Sequence, residues 1–356
     1  MLDTREQATE NFDPDGVGAV GTLFGLPFLP ETSQLIVIPV PWEVTVSYNA
    51  GTANGPQAVL GASTQVDLYM DDIPDAWKLG ITMLPISEAW KSESDKLRDE
   101  AYLYIKWLED GKPEFPNENI ETTPHKVTQV SDQLNQWVKS QALKYITDGK
   151  MVAVLGGDHS SPLGLIEALC EHHDDFGILQ IDAHADLRIA YEEFEFSHAS
   201  IMHNALKNPQ VSKLVQMGIR DFSSSEANAI KNSQGRICTF FDRELKEKKY
   251  EGADWKTICG EIIKALPYKV YISFDIDALD PKLCPHTGTP VAGGFEVEEI
   301  MYLLKLMVKN GKNIIGFDLC EVAPGADEWD GNVGARILYR LSNLMAVSQE
   351  KLFFNK

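Results

Sequence analysis

Cysteine is scarce in this sequence. The chain has five cysteines among 356 residues, and no two of them are spaced as Cys-x-x-Cys. An odd number of scattered cysteines does not form a disulfide framework and is typical of a cytosolic protein with reduced thiols. We therefore expect free thiols and a cytoplasmic location. The five positions are Cys170, Cys238, Cys259, Cys284 and Cys320.

Long apolar runs are also missing. No stretch reaches the roughly 18 apolar residues that a transmembrane helix needs. The first residues, MLDTREQATENFD, are acidic and polar, so they lack the basic region and the apolar core of a signal peptide. These absences predict a protein that neither crosses a membrane nor carries a secretion signal.

The sequence contains few basic residues relative to its acidic ones. Lysine and arginine together number 32, against 53 aspartates and glutamates, which gives a formal net charge of −21. Nucleic acids and anionic membranes are bound by basic faces, so we expect neither as a partner. An acidic protein is compatible with metal cations and with a cationic substrate.

Short apolar runs that alternate with helical stretches dominate what the sequence does contain. Such alternation predicts a mostly parallel central sheet with helices on both faces, a three-layer α/β/α fold. Residues 298–309 have the spacing of an amphipathic helix that ends at Asn310. The predicted strands are Leu35–Val40, Val152–Leu155, Phe176–Ile181, Leu214–Ile219, Arg236–Phe240, Lys269–Phe274 and Asn313–Leu319.

The chain contains no internal repeat, low-complexity tract or clear linker, so we predict one domain over residues 34–356. Residues 1–33 are polar and then rich in glycine and proline, which indicates an N-terminal arm. Residues 86–150 form a helical insertion, because apolar residues recur there at helical spacing in two blocks. The stretch GKPEFPNEN at 111–119 predicts a loop between the two helices.

The most informative stretch is Leu179–Arg188, which reads LQIDAHADLR. An apolar strand runs there into Asp182, His184 and Asp186. Alternate residues of an extended segment project on one face, so these three side chains are expected to converge at the end of a buried strand. Buried carboxylates without partners are very unfavourable. The motif therefore predicts a bound cation.

Three other predicted strands also run into polar motifs. These are GGDHS at 156–160, DIDALDP at 275–281 and DLCEVAP at 318–324. Ligands bind at the carboxyl ends of the strands in open α/β sheets, so the motifs are expected to meet. The strongest of them supply two imidazoles and four carboxylates, namely His159, Asp182, His184, Asp186, Asp275 and Asp277.

Six ligands offer more donor atoms than one ion uses, so they suit two metal ions bridged by carboxylates. Oxygen-rich ligation with some imidazole and no thiolate favours Mn²⁺ over Zn²⁺, with Ni²⁺, Co²⁺ and Fe²⁺ as alternatives. A two-metal site generates hydroxide near neutral pH and polarises an electrophile. The predicted reaction is metal-assisted hydrolysis. The ligand set alone does not distinguish a phosphatase from an amidase or a deaminase.

The motifs GGDHS, DAHAD, SFDIDALDP and TGTP (287–290) together resemble those of the ureohydrolases, the family of arginase, agmatinase and formiminoglutamase. The resemblance covers roughly residues 35–70 and 150–345. It implies a binuclear manganese site on a three-layer α/β/α fold. By position in the motifs, one ion is held by His159, Asp182, Asp186 and Asp275, and the other by Asp182, His184, Asp275 and Asp277.

The resemblance also implies roles in binding and catalysis. Glu321, in the context E-V-x-P, matches the residue that binds the guanidinium, and a carboxylate suits that planar group. His198, in FSHAS, matches the proton-shuttle histidine, and the ordinary pKa of a histidine suits general acid work near pH 7. Thr289 of the TGTP motif is expected to contact substrate, and Asp186 counts among the catalytic groups. Members of the family commonly form trimers or hexamers, so a homo-oligomer is expected.

Agmatine is the first-choice substrate, cleaved to urea and putrescine. An enzyme that binds arginine needs donors for the α-carboxylate, and arginases carry an Asn- and Ser-bearing loop between the positions of Asp186 and His198. This sequence has LRIAYEEFEFS there, with Glu192, Glu193 and Glu195. Acids at the pocket rim would repel a carboxylate and favour a cationic or neutral tail.

The alternative guanidino substrates are free guanidine, guanidinobutyrate and arginine. The family loop R-P-G-T-R-x-G-P is replaced here by NAGTANGP at 49–56, without the arginines, and the 86–150 insertion is long for an agmatinase. Both features lie where they can reshape the pocket entrance. Free guanidine needs no contact with a tail.

A silent subunit and a single-zinc deacetylase are the alternatives from other classes of protein. A catalytically silent partner subunit would show lost metal ligands, whereas all six ligands, His198 and Glu321 are present. A deacetylase with a single zinc on a related fold would not need the second acid of DAHAD or both acids of DID. The sequence therefore favours an active two-metal hydrolase.

Overall fold

Eight parallel strands form the centre of the molecule. The computed structural model describes residues 5–113 and 120–355. Within them a single sheet has the strand order β2-β1-β3-β8-β7-β4-β5-β6, and every pair of neighbours is parallel. The strands are β1 Leu35–Val40, β2 Ile81–Met83, β3 Met151–Gly156, β4 Phe176–Ile181, β5 Val211–Ile219, β6 Ile237–Phe241, β7 Lys269–Asp275 and β8 Asn313–Cys320.

Seven of these strands were predicted from the apolar runs, each to within a few residues. The strand that the sequence did not reveal is β2, which has three residues and lies at one edge of the sheet. A run of three residues is too short to show a period. Its partner β1 holds it in register, with Leu35 opposite Ile81.

Helices cover both faces of the sheet, which explains why β1, β3 and β4 are buried along their whole length. One apolar cluster joins the sheet to α2, α8, α9, α10 and α11, and a second joins the other face to α3, α4, α5 and α6. The described helices are α1 Arg5–Glu10, α2 Gly55–Ser63, α3 Glu88–Glu109, α4 Thr123–Thr147, α5 Leu163–His172, α6 Ile201–Ala205, α7 Ser224–Asn232, α8 Asp242–Tyr250, α9 Trp255–Ala265, α10 Val297–Lys309 and α11 Trp329–Ser348.

The two amphipathic helices predicted between residues 86 and 150 are α3 and α4. The side chain of Ser87 caps α3 by accepting a hydrogen bond from the backbone N–H of Trp90. Leu97, Ala101 and Tyr104 form the buried face of α3. Of the loop predicted at 111–119, residues 114–119 lie outside the described part of the chain.

Part of the N-terminal arm packs on the domain. Helix α1 buries none of its residues, whereas Leu23, Phe24, Leu26 and Phe28 are buried in the apolar cluster that contains α11. Among the described residues, no helix is long and apolar enough to cross a membrane. The division into an arm and one domain with an insertion stays a prediction.

The parallel arrangement places the polar motifs together. Strands β3, β8, β7 and β4 are consecutive neighbours in the sheet, and all of them point the same way. Their carboxyl ends therefore lie side by side. The four motifs that follow or end these strands meet at that edge.

Candidate metal centre

His159 is surrounded by three carboxylates. Its Nδ1 atom lies 3.0 Å from Oδ2 of Asp182, 3.0 Å from Oδ2 of Asp186 and 3.3 Å from Oδ2 of Asp275. On the other side of the ring, Nε2 lies 2.8 Å from Oγ of Ser273. One imidazole nitrogen thus faces three oxygens, two from the loop after β4 and one from the end of β7.

A second group adjoins the first. Nδ1 of His184 lies 3.0 Å from Oδ2 of Asp277 and 3.7 Å from Oδ1 of Asp182. His159, Asp182 and Asp186 each offer a ligand atom within 4.8 Å of the others, and so do Asp182, His184 and Asp277. Asp182 belongs to both groups. The structure therefore brings together all six side chains that the sequence singled out.

The buried aspartates of this cluster favour a bound cation. Burial raises the pKa of Asp186 to about 7, and repulsion from Asp182 adds to the effect. Burial also raises the pKa of Asp275 well above its ordinary value, with Asp277 and Asp182 as the repelling neighbours. Within the described residues, Nδ1 of His159 and Oδ2 of Asp277 are buried without a hydrogen-bond partner. Buried oxygen and imidazole donors with no thiolate fit a divalent metal ion.

The extended pairing predicted for D-x-H-x-D reaches His184 and ends before Asp186. The extended backbone of β4 ends at Ile181, and Asp186 has a positive φ of 52°. The carbonyl of Asp186 accepts hydrogen bonds from the backbone N–H groups of Met202 and His203 in α6. Parallel pairing with the segment after β5 persists at His184, which forms a bridge with Asp221, and the loop then turns at Asp186 onto α6.

Glu321 lies behind this cluster, directly after β8. Its backbone is left-handed, with φ 65°, and its Oε1 accepts a hydrogen bond of 2.8 Å from the N–H of His159. Its Oε2 is buried and has no partner in the described part of the chain. Burial, followed by repulsion from Asp158, raises the pKa of Glu321 well above its ordinary value. A Cβ atom at Gly288 would lie 2.7 Å from Oε2, so only glycine leaves this oxygen free.

A cavity of 220 Å³ opens above the cluster. Four of the predicted site residues line it, namely His184, Asp186, His198 and Thr289. The other predicted site residues are buried beneath its floor, and these are His159, Asp182, Asp275, Asp277 and Glu321. The remaining lining residues are Ser47, Tyr48, Arg188, Tyr191, Ala199, Asp221, Phe222, Glu226, Pro290 and Val291.

His198 is held at the cavity wall by Thr45. The hydroxyl of Thr45 accepts the backbone N–H of His198 at 3.2 Å and lies 3.3 Å from Nδ1 of the ring. Burial lowers the pKa of His198 to about 3, and repulsion from His184 adds to the effect. The ring is therefore neutral at pH 7, and its pKa lies well below the ordinary histidine value expected from the sequence.

The acids expected at the pocket rim point elsewhere. None of Glu192, Glu193 and Glu195 lines the cavity. Glu192 and Glu193 have φ values of 52° and 68° and form a tight turn. Nζ of Lys112, beyond the end of α3, lies 3.3 Å from Oε1 of Glu193. The prediction that these three acids lie at the pocket rim is therefore wrong, because the turn faces the helical segment and not the cavity.

Two other acids and one arginine line the outer cavity instead. Glu226 is buried and its oxygens accept hydrogen bonds from the backbone N–H of Leu187 and from Ser223. Arg188 lies 3.9 Å from the same carboxylate and 4.6 Å from the centre of the Tyr191 ring. Asp221 is exposed to the cavity. Asp221 is therefore the acid that remains available to a ligand.

Sequence reasoning missed Asp221 although a signal was present. Asp221 follows β5 after one residue, and the rule that ligands bind at the carboxyl ends of strands applies to this strand too. Thr45 carried no such signal, because its partner His198 is 153 positions away.

Comparison with known proteins shows which family model and which sequence relatives this chain matches. The model of the Arginase family matches residues 33–342. An N(1)-aminopropylagmatine ureohydrolase of Thermus thermophilus is 27% identical over 314 residues, which cover 88% of this chain and 91% of the relative. An agmatinase of Halalkalibacterium halodurans is 28% identical over 298 residues, which cover 83% of this chain and 86% of the relative.

Solved structures share the fold. The agmatine ureohydrolase of Thermoplasma volcanium superposes with a TM-score of 0.68 at 19% identity, covering 97% of this chain and 99% of that one. The arginase of Bacillus caldovelox gives a TM-score of 0.63 at 19% identity, covering 88% and 98%. The three-layer fold and the family resemblance predicted from the sequence are thereby confirmed.

Proposed function

This chain belongs to the arginase family and is a ureohydrolase, an enzyme that hydrolyses a guanidino C–N bond, and from this premise we propose that its substrate carries a cationic tail. Agmatine is the first choice, with urea and putrescine as products. The observation that carries the proposal is the exposed carboxylate of Asp221 on the cavity wall above the buried cluster. The relatives named for agmatine and N(1)-aminopropylagmatine give it support.

The proposed cofactor is a pair of divalent cations, with Mn²⁺ first and Ni²⁺, Co²⁺ or Fe²⁺ as alternatives. His159, Asp182, Asp186 and Asp275 would hold one ion, and Asp182, His184, Asp275 and Asp277 the other. When bound, such a pair lowers the pKa of water and polarises an electrophile. The close approach of these six side chains in the buried cluster supports the assignment.

Glu321 is the proposed guanidinium ligand. Its Oε1 is already fixed by the N–H of His159, while Oε2 has no partner among the described residues. A carboxylate oriented in this way can accept a charge-assisted hydrogen bond from a planar guanidinium. Gly288 of the TGTP motif keeps the space beside Oε2 open, and Thr289 lines the cavity next to it.

His198 is the proposed proton carrier. Nδ1 faces the hydroxyl of Thr45, so Nε2 is the atom left to exchange a proton with the reacting groups. A ring that carries its hydrogen on Nδ1 can accept a proton at Nε2 and pass it to the leaving nitrogen. Asp186, also on the cavity wall, is the further catalytic carboxylate.

Asp221 discriminates between the candidate substrates by the charge of their tails. Its carboxylate attracts the amine of agmatine and repels the carboxylate of arginine or guanidinobutyrate. Arg188 on the same wall favours a carboxylate tail, so guanidinobutyrate is the second candidate. Free guanidine has no tail and would be insensitive to either residue.

The test is urea release by the Mn²⁺-loaded and the Ni²⁺-loaded protein from agmatine, arginine, guanidinobutyrate, guanidinopropionate and free guanidine. The matched variants are Asp221→Asn and Arg188→Gln. We expect turnover of agmatine, and we expect D221N to lower kcat/KM for agmatine but not for free guanidine. Turnover of guanidinobutyrate that is lost in R188Q would replace agmatine by the carboxylate-tailed substrate. No urea from any compound would point to the silent-subunit hypothesis.

We also propose a cytoplasmic homo-oligomer, a trimer or a hexamer. The five cysteines are free, which agrees with a reducing compartment. Light scattering of the purified protein tests the oligomer, and a monomer at micromolar concentration would contradict it.

A further inference from the structure

Five polar residues form one row across the sheet. Register pairs Asp318 of β8 with Ser273 of β7, Ser273 with Gln180 of β4, Gln180 with Gln216 of β5, and Gln216 with Thr239 of β6. The first four side chains are fully buried and Thr239 is half-buried. We call Gln180, Gln216 and Thr239 the amide row.

The fold does not require this row. Strands that are covered on both faces are normally apolar, and a buried polar group is unfavourable unless it is hydrogen-bonded. The neighbours of Gln180 in β4, Leu179 and Ile181, follow that rule and are fully buried. A polar residue at the same level of five strands therefore points to a task other than packing.

The hydrogen bonds of the amide row all run in one direction. The hydroxyl of Thr239 donates to Oε1 of Gln216 at 2.7 Å. Nε2 of Gln216 donates to Oε1 of Gln180 at 2.6 Å and to the carbonyl of Ala185 at 2.8 Å. Because each amide oxygen accepts from the outer neighbour, each amide nitrogen must face the inner one.

The row ends on the carboxylate shared by the two metal groups. Nε2 of Gln180 donates to Oδ2 of Asp182 at 2.8 Å and to the carbonyl of His184 at 3.1 Å. The other carboxylate oxygen, Oδ1, accepts the backbone N–H of His184 at 2.6 Å. The two oxygens of Asp182 are thus held apart, one beside His159 and the other beside His184.

We propose that the amide row is a positioning device that orients the carboxylate of Asp182 between the two metal sites. Thr239, on the edge strand β6, fixes the orientation of the two glutamine amides. A flipped Gln180 would present its carbonyl oxygen to Asp182 and repel it. The row also fixes the carbonyls of His184 and Ala185, which lie between ligands of the same loop. This inference rests on the metal centre of the proposed function, and outer partners of this kind commonly govern metal affinity.

The experiment measures Mn²⁺ binding and melting in parallel. Gln180→Met keeps the length of the side chain but removes the donor, and Thr239→Val removes the hydroxyl at constant shape. Thr239→Ser restores the hydroxyl. Thr82→Val is the matched control, because it makes the same change on β2, the opposite edge strand. Calorimetric titration with MnCl₂ gives the dissociation constants, and scanning calorimetry of the metal-free proteins gives their stability.

We expect the parent protein to bind two ions and Q180M to bind them about 10-fold to 100-fold more weakly. T239V should weaken binding less than Q180M, while T239S and T82V should match the parent. Unchanged affinities in Q180M and T239V, with lowered melting temperatures alone, would make the row merely structural and overturn the inference. A parent that binds neither Mn²⁺ nor Ni²⁺ would instead overturn the metal centre, and the row's role with it.

Discussion

The hydroxyl of Thr45 lies 3.3 Å from Nδ1 of His198 and accepts the backbone N–H of the same histidine at 3.2 Å. One side chain thus holds both the ring and the main chain of the proposed proton carrier. Because Nε2 exchanges the proton, Nδ1 keeps its hydrogen in both protonation states of the ring, and the hydroxyl of Thr45 can accept that hydrogen in each of them. Thr45 can therefore hold His198 in the neutral and in the protonated state without moving.

Thr45→Val is expected to lower kcat by roughly 10-fold to 100-fold, because a misplaced catalytic group loses much of its effect. Thr45→Ser keeps the hydroxyl and should retain most of the activity. The measurement is steady-state urea release, together with ¹⁵N chemical shifts of the His198 ring, which distinguish its tautomers. Equal activity in the valine and serine variants would show that the hydroxyl does not matter.

Gly288→Ala should weaken binding of the guanidino substrate while leaving the protein folded. The added Cβ would lie 2.7 Å from Oε2 of Glu321, so the carboxylate must shift from the position proposed for guanidinium binding. We expect KM for the guanidino substrate to rise at least about 10-fold, because a charge-assisted hydrogen bond is lost. Gly61→Ala is the control, since a Cβ at that helical position meets nothing within 4 Å. Parent-like kinetics in G288A would remove Glu321 from the guanidinium site.

Removal of metal should destabilise the protein. The cluster buries four carboxylates, and metal binds the folded state preferentially. Adding Mn²⁺ at about 100 times its dissociation constant should stabilise the chelator-treated protein by about 2.7 kcal/mol per site. Differential scanning calorimetry with and without the ion measures this difference. Identical melting temperatures would argue against a metal at these residues.

Glu192 should make stability depend on pH. Burial, with repulsion from Glu109, raises its pKa to about 7, above the ordinary glutamate value of 4.5 that the unfolded chain retains. The folded protein then binds the proton more tightly than the unfolded chain, so stability falls as pH rises between these two values. Glu192→Gln should melt higher than the parent at pH 8 and similarly at pH 4. A constant difference at both pH values would contradict this origin.

The sequence predicted the part of the site that depends on local pattern. Seven strands and the six clustered ligands followed from apolar runs and from the polar residues that end them. The direction of the turn at Glu192 and Glu193 did not follow, because it depends on packing against α3, and nothing in LRIAYEEFEFS encodes that neighbour. Strand order had to come from the structure as well.

Contacts between residues that are far apart in the sequence also could not be predicted from local sequence patterns. Thr45 and His198 are joined across 153 positions, and Glu321 accepts the N–H of His159 across 162. A weak signal for the amide row was present, since Gln180 and Gln216 each interrupt an apolar run. Only the register of the strands shows that they are neighbours.

The amide row has a consequence for how the sheet assembles. A slip of one residue between parallel strands sends every side chain to the opposite face. The paired segments Ile178–Ile181 and Leu214–Met217 are apolar apart from the two glutamines, so such a slip would still bury apolar surface. It would, however, leave Gln180 and Gln216 on opposite faces, each without its partner in a dry interior. The hydrogen bond between Gln180 and Gln216 therefore favours the observed register over a slipped one, independently of any bound ion or substrate.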